Sequence, residues 1–291
     1  MANAAAPRSE TRSRRGSSHR ANFPGAPAID LARGFSHTGV VNWDISPILD
    51  AWEYRPGEVM VRALTGEDGA EKLQLRMDLG LLQMNRKGRP DGRRPHGHAT
   101  LLDYHRARSL RETKSNPGEE AALTGNDCLH LQLESIQYHH RCMCLFQLDD
   151  FAGVVADATH NLALLDFVEG HAPELDIVWG ILQFRAQVLM IQTRALASIA
   201  LKGLQYDAAE EQVASGVNQI REFFQIHGRE DLIEHCDEIQ MLEDWLEEIR
   251  AQRPISEKER LEIALREAVT HEDYEKAAHY RDALRDLQKP S

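Results

Sequence analysis

The sequence predicts a mostly α-helical protein with a small α+β unit near its N-terminus and a two-helix hairpin at its C-terminus. Residues 59–64 and 72–78 alternate apolar and polar side chains with a period of two, which is typical of strands. Across residues 128–253 apolar side chains recur every three or four positions, which is typical of helices that share a core. Residues 256–289 repeat the helical pattern on either side of a tight turn.

Composition excludes several classes of protein. The 291 residues are 42% hydrophobic, which is enough for a buried core and predicts about two domains. No run of about 18 apolar residues is present, so no membrane span is expected. Four cysteines are too few for a disulfide framework, and a reducing, cytoplasmic location is therefore expected.

Charge is distributed unevenly along the chain. Residues 1–120 carry 19 basic and 15 acidic side chains, whereas residues 121–291 carry 15 basic and 31 acidic ones. This asymmetry predicts either different partners for the two parts or contact between them. Any contact with nucleic acid would have to use the first part, because phosphate binding needs clustered cations.

Boundaries follow from changes in composition. Residues 1–28 are rich in Ala, Ser, Arg and Gly and predict a disordered basic tail, with an organelle transit peptide as the alternative. Residues 29–113 predict a small α+β domain that ends in a helix over 101–113, and residues 114–127 predict a linker.

The alternating segments of the α+β unit predict a β-hairpin around the turn signal at residues 66–69. Strict alternation would place Leu73, Leu75 and Met77 on one face of its second strand. The polar side chains of Gln74 and Arg76 would then lie on the other face.

Residues 128–253 predict a helical body. Its periodicity divides it into helices over 131–148, 152–168, 173–202, 207–224 and 231–251. The third is predicted as one continuous helix, because its apolar residues form a single stripe that runs through Ile181, Val188 and Ile199.

Two helix pairs of this body are similar to each other. In each pair an aromatic residue opens the second helix, and these residues, Phe151 and Tyr206, lie 55 positions apart. The arrangement resembles the tetratricopeptide (TPR) repeat, whose period is about 34 residues. A TPR-like body and a plain antiparallel bundle are therefore both open.

Residues 256–289, the C-terminal hairpin, predict two antiparallel helices. Asp273 is a natural N-cap for the second helix after a two-residue turn. Ala277 and Ala278 carry little side-chain bulk, so the helices can approach closely, with Tyr274 packed beside them.

Residues 261–287 resemble the UVR motif of the excision-nuclease subunits UvrB and UvrC, which also occurs in some Clp-type chaperone ATPases and their adaptors. The specific part is Asp-Tyr-Glu-x-Ala-Ala-x-x-Arg-Asp at 273–282. In that family the hairpin binds proteins by pairing with another copy of itself, which implies a protein partner or a homodimer. The predicted interaction residues are Leu261, Leu265, Ala268, Val269, Tyr274, Ala277, Ala278, Arg281, Asp282, Leu284 and Leu287.

The resemblance to those proteins covers this module only. The chain has neither the phosphate-binding loop of the ATPases nor the C-x-x-C pairs of the zinc-bearing adaptors. The wider layout, at residues 78–84, 88–97 and 101–104, resembles a bacterial group of UVR-motif proteins with no assigned activity. That likeness implies an architecture but no chemistry.

Residues 86–98, the basic loop, hold five cations and two histidines among glycines and prolines. Such a loop could contact a phosphate or a nucleic acid, since guanidinium groups suit phosphate oxygens. It could also be solvated, or dock on the acidic helices. We expect docking, with Arg93 and Arg94 contributing to it. The candidate anion-binding residues are Arg86, Lys87, Arg89, Arg93 and Arg94.

Potential metal ligands crowd into residues 128–144, but Cys142 and Cys144 would point about 200° apart on a helix. Buried cysteines are therefore expected and no metal. The potential ligands are Cys128, His130, His139, His140, Cys142 and Cys144. The carboxylates of Glu134, Glu210 and Glu211 are expected on solvated helix faces, so no catalytic residue and no cofactor is predicted.

Two functions follow from these patterns. The first is a non-enzymatic protein–protein interaction or adaptor protein that uses the helical body and the C-terminal hairpin. The alternative is a DNA-repair accessory or nucleic-acid-binding protein that contacts phosphates through the basic loop. An enzyme is not expected.

Overall fold

The computed structural model describes residues 44–115, 122–172, 175–254 and 257–287. The chain divides into two compact units, residues 1–45 and 46–291, and almost all described residues belong to the second. The predicted tail lies outside the described residues, as do residues 116–121 of the predicted linker.

The β-hairpin predicted near the N-terminus is confirmed and extended by one strand. After the short helix α1 (Ser46–Asp50), an antiparallel sheet contains β1 (Val61–Thr65), β2 (Glu71–Met77) and β3 (Gly80–Asn85) in that order. Val61 pairs with Leu75, which pairs with Leu82 on the other side. The third strand was not predicted, because the two residues that separate it from β2, Asp78 and Leu79, are not one of the Asn-Gly or Asp-Gly pairs that mark a hairpin.

The predicted division of β2 into an apolar and a polar face is partly wrong. Leu73 and Leu75 are buried, but so are Gln74 and Arg76, whereas Met77 is exposed. Arg76 is buried because its guanidinium is satisfied: it donates to the carbonyl oxygens of Trp52 at 2.8 Å and Gly80 at 2.9 Å. The residues before β1 thus cover the face that strict alternation would leave to solvent.

Helices make up the rest of the described chain. They are α2 (Leu101–Ser115), α3 (Gly125–Gln147), α4 (Phe151–His171), α5 (Leu175–Leu182), α6 (Arg185–Lys202), α7 (Tyr206–Ile226), α8 (Asp237–Gln252), α9 (Glu257–Thr270) and α10 (Tyr274–Leu287). Leu73 of β2, Leu102 of α2, Leu131 of α3 and Leu164 of α4 share one hydrophobic core with the later helices of the body. The sheet and the helical body are therefore packed together.

The third and the fifth predicted helices of the body differ most from the structure. The third is two helices, α5 and α6, because the chain is interrupted at Gln183 and Phe184 while the apolar stripe resumes beyond the break. The fifth begins at Asp237, after a 3-10 turn at Glu230–His235. Periodicity predicted neither the break nor the later start, because an apolar stripe shows which side of a helix is buried but not whether the helix is continuous.

Two helix pairs turn in the same way. Asp149 between α3 and α4 has φ of +58°, and Leu204 between α6 and α7 has φ of +56°. In each turn the following amide closes back on the first helix: Asp150 N donates to Leu145 O, and Gln205 N donates to Ala200 O, both at 2.9 Å. This left-handed end satisfies helix carbonyls and sends the next helix back antiparallel.

Helix α4 is long and apolar enough to cross a membrane by length and composition alone. Half of its most apolar stretch is buried inside the protein, where Val154, Leu164 and Val168 lie in the core. The sequence did not predict a membrane span here, because Asp157 and Asn161 interrupt the apolar run of this helix. A core helix has these properties too, so the observation is weak evidence for a membrane.

Candidate functional site

The two helices of the C-terminal hairpin are joined as predicted. Asp273 caps α10, since its Oδ1 accepts from the amide of Lys276 at 3.2 Å, and the Asp273 amide donates to Ala268 O at 2.8 Å. Ala268 and Ala277 are buried between the helices, which confirms the close contact at small residues. The helices α9 and α10 pack mainly on each other.

The hairpin leaves large apolar side chains in solvent. Those of Ile263, Val269, Tyr274 and Leu287 are 43%, 52%, 69% and 49% exposed. Val269 and Tyr274 stand on either side of the turn. Tyr274 was predicted to pack beside the alanines, but it is the first residue of α10 and lies beyond the helix–helix contact.

The remaining predicted interaction residues divide into two groups. Those that are half-buried at the helix–helix contact are Leu261, Leu265, Ala278 and Leu284. The charged pair Arg281 and Asp282 is exposed, with 2.8 Å between Arg281 Nη2 and Asp282 Oδ1. An exposed ion pair of this kind stabilises a protein little.

The basic loop docks on the helical body through two of its cations. Arg86 Nη2 lies 2.8 Å from Asp150 Oδ2, and this hydrogen bond lowers the pKa of Asp150. Arg89 Nε donates to Glu134 Oε2 at 2.8 Å, and its Nη1 lies 2.6 Å from Asp91 Oδ2. The expected docking is therefore present, but Arg93 and Arg94 make no ion pair within the described residues, so their predicted part in it is wrong.

Glu134 is fully buried, which corrects its assignment to a solvated helix face. Its carboxylate accepts the amides of Leu101 at 2.7 Å and Leu102 at 3.2 Å, at the N-terminus of α2. Burial would raise the pKa of Glu134, but His160, whose Nε2 lies 3.4 Å from Oε1, and the hydrogen bonds from these amides outweigh it and lower the pKa. The burial of Glu134 could have been predicted from the sequence, since Glu134 lies on the same face of α3 as the buried residues Leu131 and Tyr138.

A second buried pair lies beside the first. Arg141 binds Asp157 in a bidentate manner, with 2.7 Å for both Nε–Oδ2 and Nη2–Oδ1. Its Nη1 also donates to the carbonyl oxygens of Asn85 at 3.1 Å and Gly88 at 2.6 Å. One guanidinium therefore joins α3, α4 and the start of the basic loop. Composition gave no signal for this role.

An open cavity of about 380 Å³ lies between the basic loop and α3. Its lining includes Tyr138 on α3 and, from the loop, Lys87, Gly88, Arg89, Gly92, Arg93 and Arg94. Burial raises the pKa of Tyr138 to about 12, so its phenol is protonated at neutral pH. Four of the five predicted anion-binding residues thus meet at one cavity, while Arg86 points to Asp150.

The cysteines of α3 are buried, as expected. Burial raises the pKa of Cys142 strongly and that of Cys144 to about 11, which disfavours the thiolate that binds metals. Burial lowers the pKa values of His139 and His140. Within the part of the chain that the structure describes, no three His, Cys, Asp or Glu side chains are grouped to hold a metal ion.

Comparison with known proteins identifies one part of the chain. The family model described as the UvrB/uvrC motif, UVR, matches residues 256–289. No curated protein and no solved structure matches the chain. The matched residues span α9, α10 and the turn that Asp273 caps. The C-terminal hairpin of this protein is a UVR motif.

Proposed function

We propose that this protein is a non-enzymatic adaptor that binds a protein partner through its UVR hairpin. The observation that carries the proposal is the exposure of Val269 and Tyr274 beside the turn of a hairpin whose motif mediates protein–protein interaction. Full burial of an exposed large apolar side chain contributes about 1.5–3 kcal/mol. Val269 and Tyr274, which are 52% and 69% exposed, would each contribute a part of that on binding a partner.

The length of the helices supports the same proposal. Each has 14 residues, and isolated helices shorter than about 12–15 residues are marginal in water. A second hairpin, in another copy of this chain or in a different protein, would bury the exposed side chains. We expect the partner to be a UVR hairpin, with a homodimer as the simplest form.

The helical body is proposed as a second, TPR-like contact surface. Two antiparallel helix pairs with the same left-handed turn, at Asp149 and Leu204, support a repeated unit. Their spacing is longer than that of TPR repeats, so the likeness concerns the helix pair and not the repeat length. We propose a cytoplasmic location without a membrane contact, because composition and cysteine content favour it.

The alternative, a nucleic-acid-binding protein, is not favoured. Two of the five cations of the basic loop are held in ion pairs with Asp150 and Glu134. The carboxylate of Asp91 lies within the loop and that of Glu71 lies beside it. A duplex needs an extended track of available cations, whereas this surface offers few.

The experiment that tests the adaptor role is partner capture with the full chain, combined with a measurement of its mass in solution. Val269→Asp with Tyr274→Ala should abolish capture or dimerisation while helicity is retained. Glu267→Ala removes an exposed charged side chain from the same hairpin and should change neither. Equal capture and equal mass for all three proteins would contradict the proposal.

A further inference from the structure

The cavity between the basic loop and α3 is a candidate ligand site independent of the UVR hairpin. We propose that it binds a small anion that carries a phosphate or diphosphate group, held by Lys87, Arg93 and Arg94. The cavity, of about 380 Å³, exceeds the size of a diphosphate and is open on one side.

The cavity has more positive charge than its surroundings neutralise. The charge of Arg89 is balanced by Glu134 at 2.8 Å and Asp91 at 2.6 Å. Lys87 is 88% exposed and lies 3.9 Å from Glu71, so it is weakly paired. Arg93 and Arg94 are exposed and make no ion pair with any described residue. In a chain of net charge −12, cations left unpaired around one concave surface indicate an anionic ligand.

The backbone of the basic loop suits close approach of an anion. Gly88 and Gly92 have φ of +70° and +72°, and both line the cavity. A Cβ on Gly88 would meet no atom within 4 Å, so the space beside its peptide is open. A Cβ on Gly92 would lie 2.6 Å from Asn85 Nδ2. The amide donor of Asn85 therefore lies next to Gly92, and both residues line the cavity. Asn85 Oδ1 is already occupied by Lys72 at 2.5 Å.

The loop is held in place before any ligand arrives. Arg86 ties it to Asp150, Arg89 ties it to Glu134, and Arg141 donates to the carbonyl oxygen of Gly88. The paired cations Arg86 and Arg89 thus fix the position of the loop that carries Arg93 and Arg94. A preorganised set of donors loses less conformational entropy on binding than a flexible loop would.

The ligand is small because of what surrounds the cavity. Asp91 lies within the loop, and Glu71 and Asp150 lie beside it; these carboxylates would repel a long polyanion that extended past the cavity. A compact phosphate or diphosphate would contact only the unpaired cations. Guanidinium groups bind such oxygens in pairs, which favours arginine at two of the three positions.

The test is calorimetric titration of the full chain with inorganic pyrophosphate at constant ionic strength. Arg93→Ala with Arg94→Ala should weaken binding at least tenfold, and Lys87→Ala should weaken it less, because that lysine has a neighbouring carboxylate. Arg106→Ala with Arg111→Ala removes two exposed cations of α2 outside the cavity and should leave binding unchanged. Circular dichroism melts confirm that each variant is folded.

Three results would overturn the proposal. They are absence of pyrophosphate binding to the parent protein, equal weakening in the two double variants, and tighter binding of duplex DNA than of pyrophosphate with dependence on Arg93 and Arg94. The last result would instead support the nucleic-acid alternative. Partner capture through the hairpin is measured separately and does not depend on the outcome.

Discussion

Arg89 of the basic loop donates from Nε to Oε2 of Glu134 on α3 across 2.8 Å, and the same carboxylate accepts the first two amides of α2. One buried side chain therefore fixes the loop, the start of α2 and the middle of α3 in relation to each other. The side chain of Arg89 is 12% exposed and that of Glu134 is 0% exposed. Removing Glu134 would leave the two buried amides without an acceptor and Arg89 with Asp91 as its remaining carboxylate.

Glu134→Ala is expected to destabilise the protein by about 1–3 kcal/mol for each of the two buried amides that lose their acceptor, in addition to the weaker pairing of Arg89, which keeps Asp91. Urea unfolding measures the loss. Arg93→Glu with Arg94→Glu is the matched control, and its change should stay within about 0.5 kcal/mol, since both side chains are exposed. If the control loses as much stability as Glu134→Ala, the docking contacts have been assigned to the wrong arginines.

Gly216→Ala is expected to destabilise the contact between α6 and α7. A Cβ at Gly216 would lie 2.1 Å from Thr193 Oγ1 and 2.5 Å from its Cγ2. Overpacking of this kind costs about 1–3 kcal/mol, which exceeds the gain in helix propensity. Thermal melts should show part of the loss recovered when Thr193→Ala is added.

The control for that substitution is Gly170→Ala in α4, where a Cβ would meet nothing within 4 Å. There the smaller entropy of the unfolded chain should stabilise the protein by about 0.4–1 kcal/mol. Opposite signs for the two alanine substitutions are the expected result. A stabilising effect of Gly216→Ala would contradict the close contact between α6 and α7 at Thr193.

Ala277→Glu is expected to separate the helices of the UVR hairpin. Ala277 is buried against α9, so a carboxylate there would lack a partner as well as space. Circular dichroism should show a loss of helix that corresponds to the hairpin, and partner capture should fail. The body should keep its melting temperature, because α9 and α10 pack mainly on each other. A variant that melts as one unit at a much lower temperature would contradict this independence.

Stability should fall when the pH is lowered below about 6.5. Burial lowers the pKa of His105 beneath its usual 6.5, with Arg108 adding repulsion and Asp127 opposing it. His139 and His140 are shifted in the same direction, also by burial. At a pH between the folded-state pKa and the unfolded-state pKa of these histidines, the unfolded chain binds more protons than the folded protein. The free energy of unfolding therefore rises with pH in this window, and the contribution of the histidines is fully present above the unfolded-state pKa.

The measurement is the urea midpoint at pH 7.5 and pH 5.5, and His105→Gln should reduce the difference. If the parent protein becomes more stable on acidification, the histidines are not buried in their neutral form.

The N-terminal boundary of α3 illustrates where sequence reasoning was incomplete. The helix was predicted from residue 131, but it begins at Gly125 with Thr124 and Asp127 forming a capping box. The pattern was readable, although Asp at its fourth position is less usual than Glu or Gln. The break between α5 and α6 carried no comparable signal, because the side chains on both sides continue one apolar stripe.

The basic loop illustrates a different limit. Its charge predicted contact with the acidic helices, and that contact exists. Which arginines would make it depended on distances to Asp150 and Glu134, residues more than 40 positions away in the chain. The same is true of Arg141, whose partners lie on another helix and on the loop backbone.

The sequence by itself determined the helical class, the first β-hairpin and the UVR hairpin, because each depends on local periodicity, turn residues and capping over a few turns. The tertiary structure decided that Glu134 and Arg76 are buried, that Arg86 and Arg89 are paired while Arg93 and Arg94 are available, and that Tyr274 is exposed. Burying a charge is favourable only when distant groups supply its hydrogen bonds. Which groups supply those hydrogen bonds depends on how the chain packs, and local sequence patterns do not contain that information.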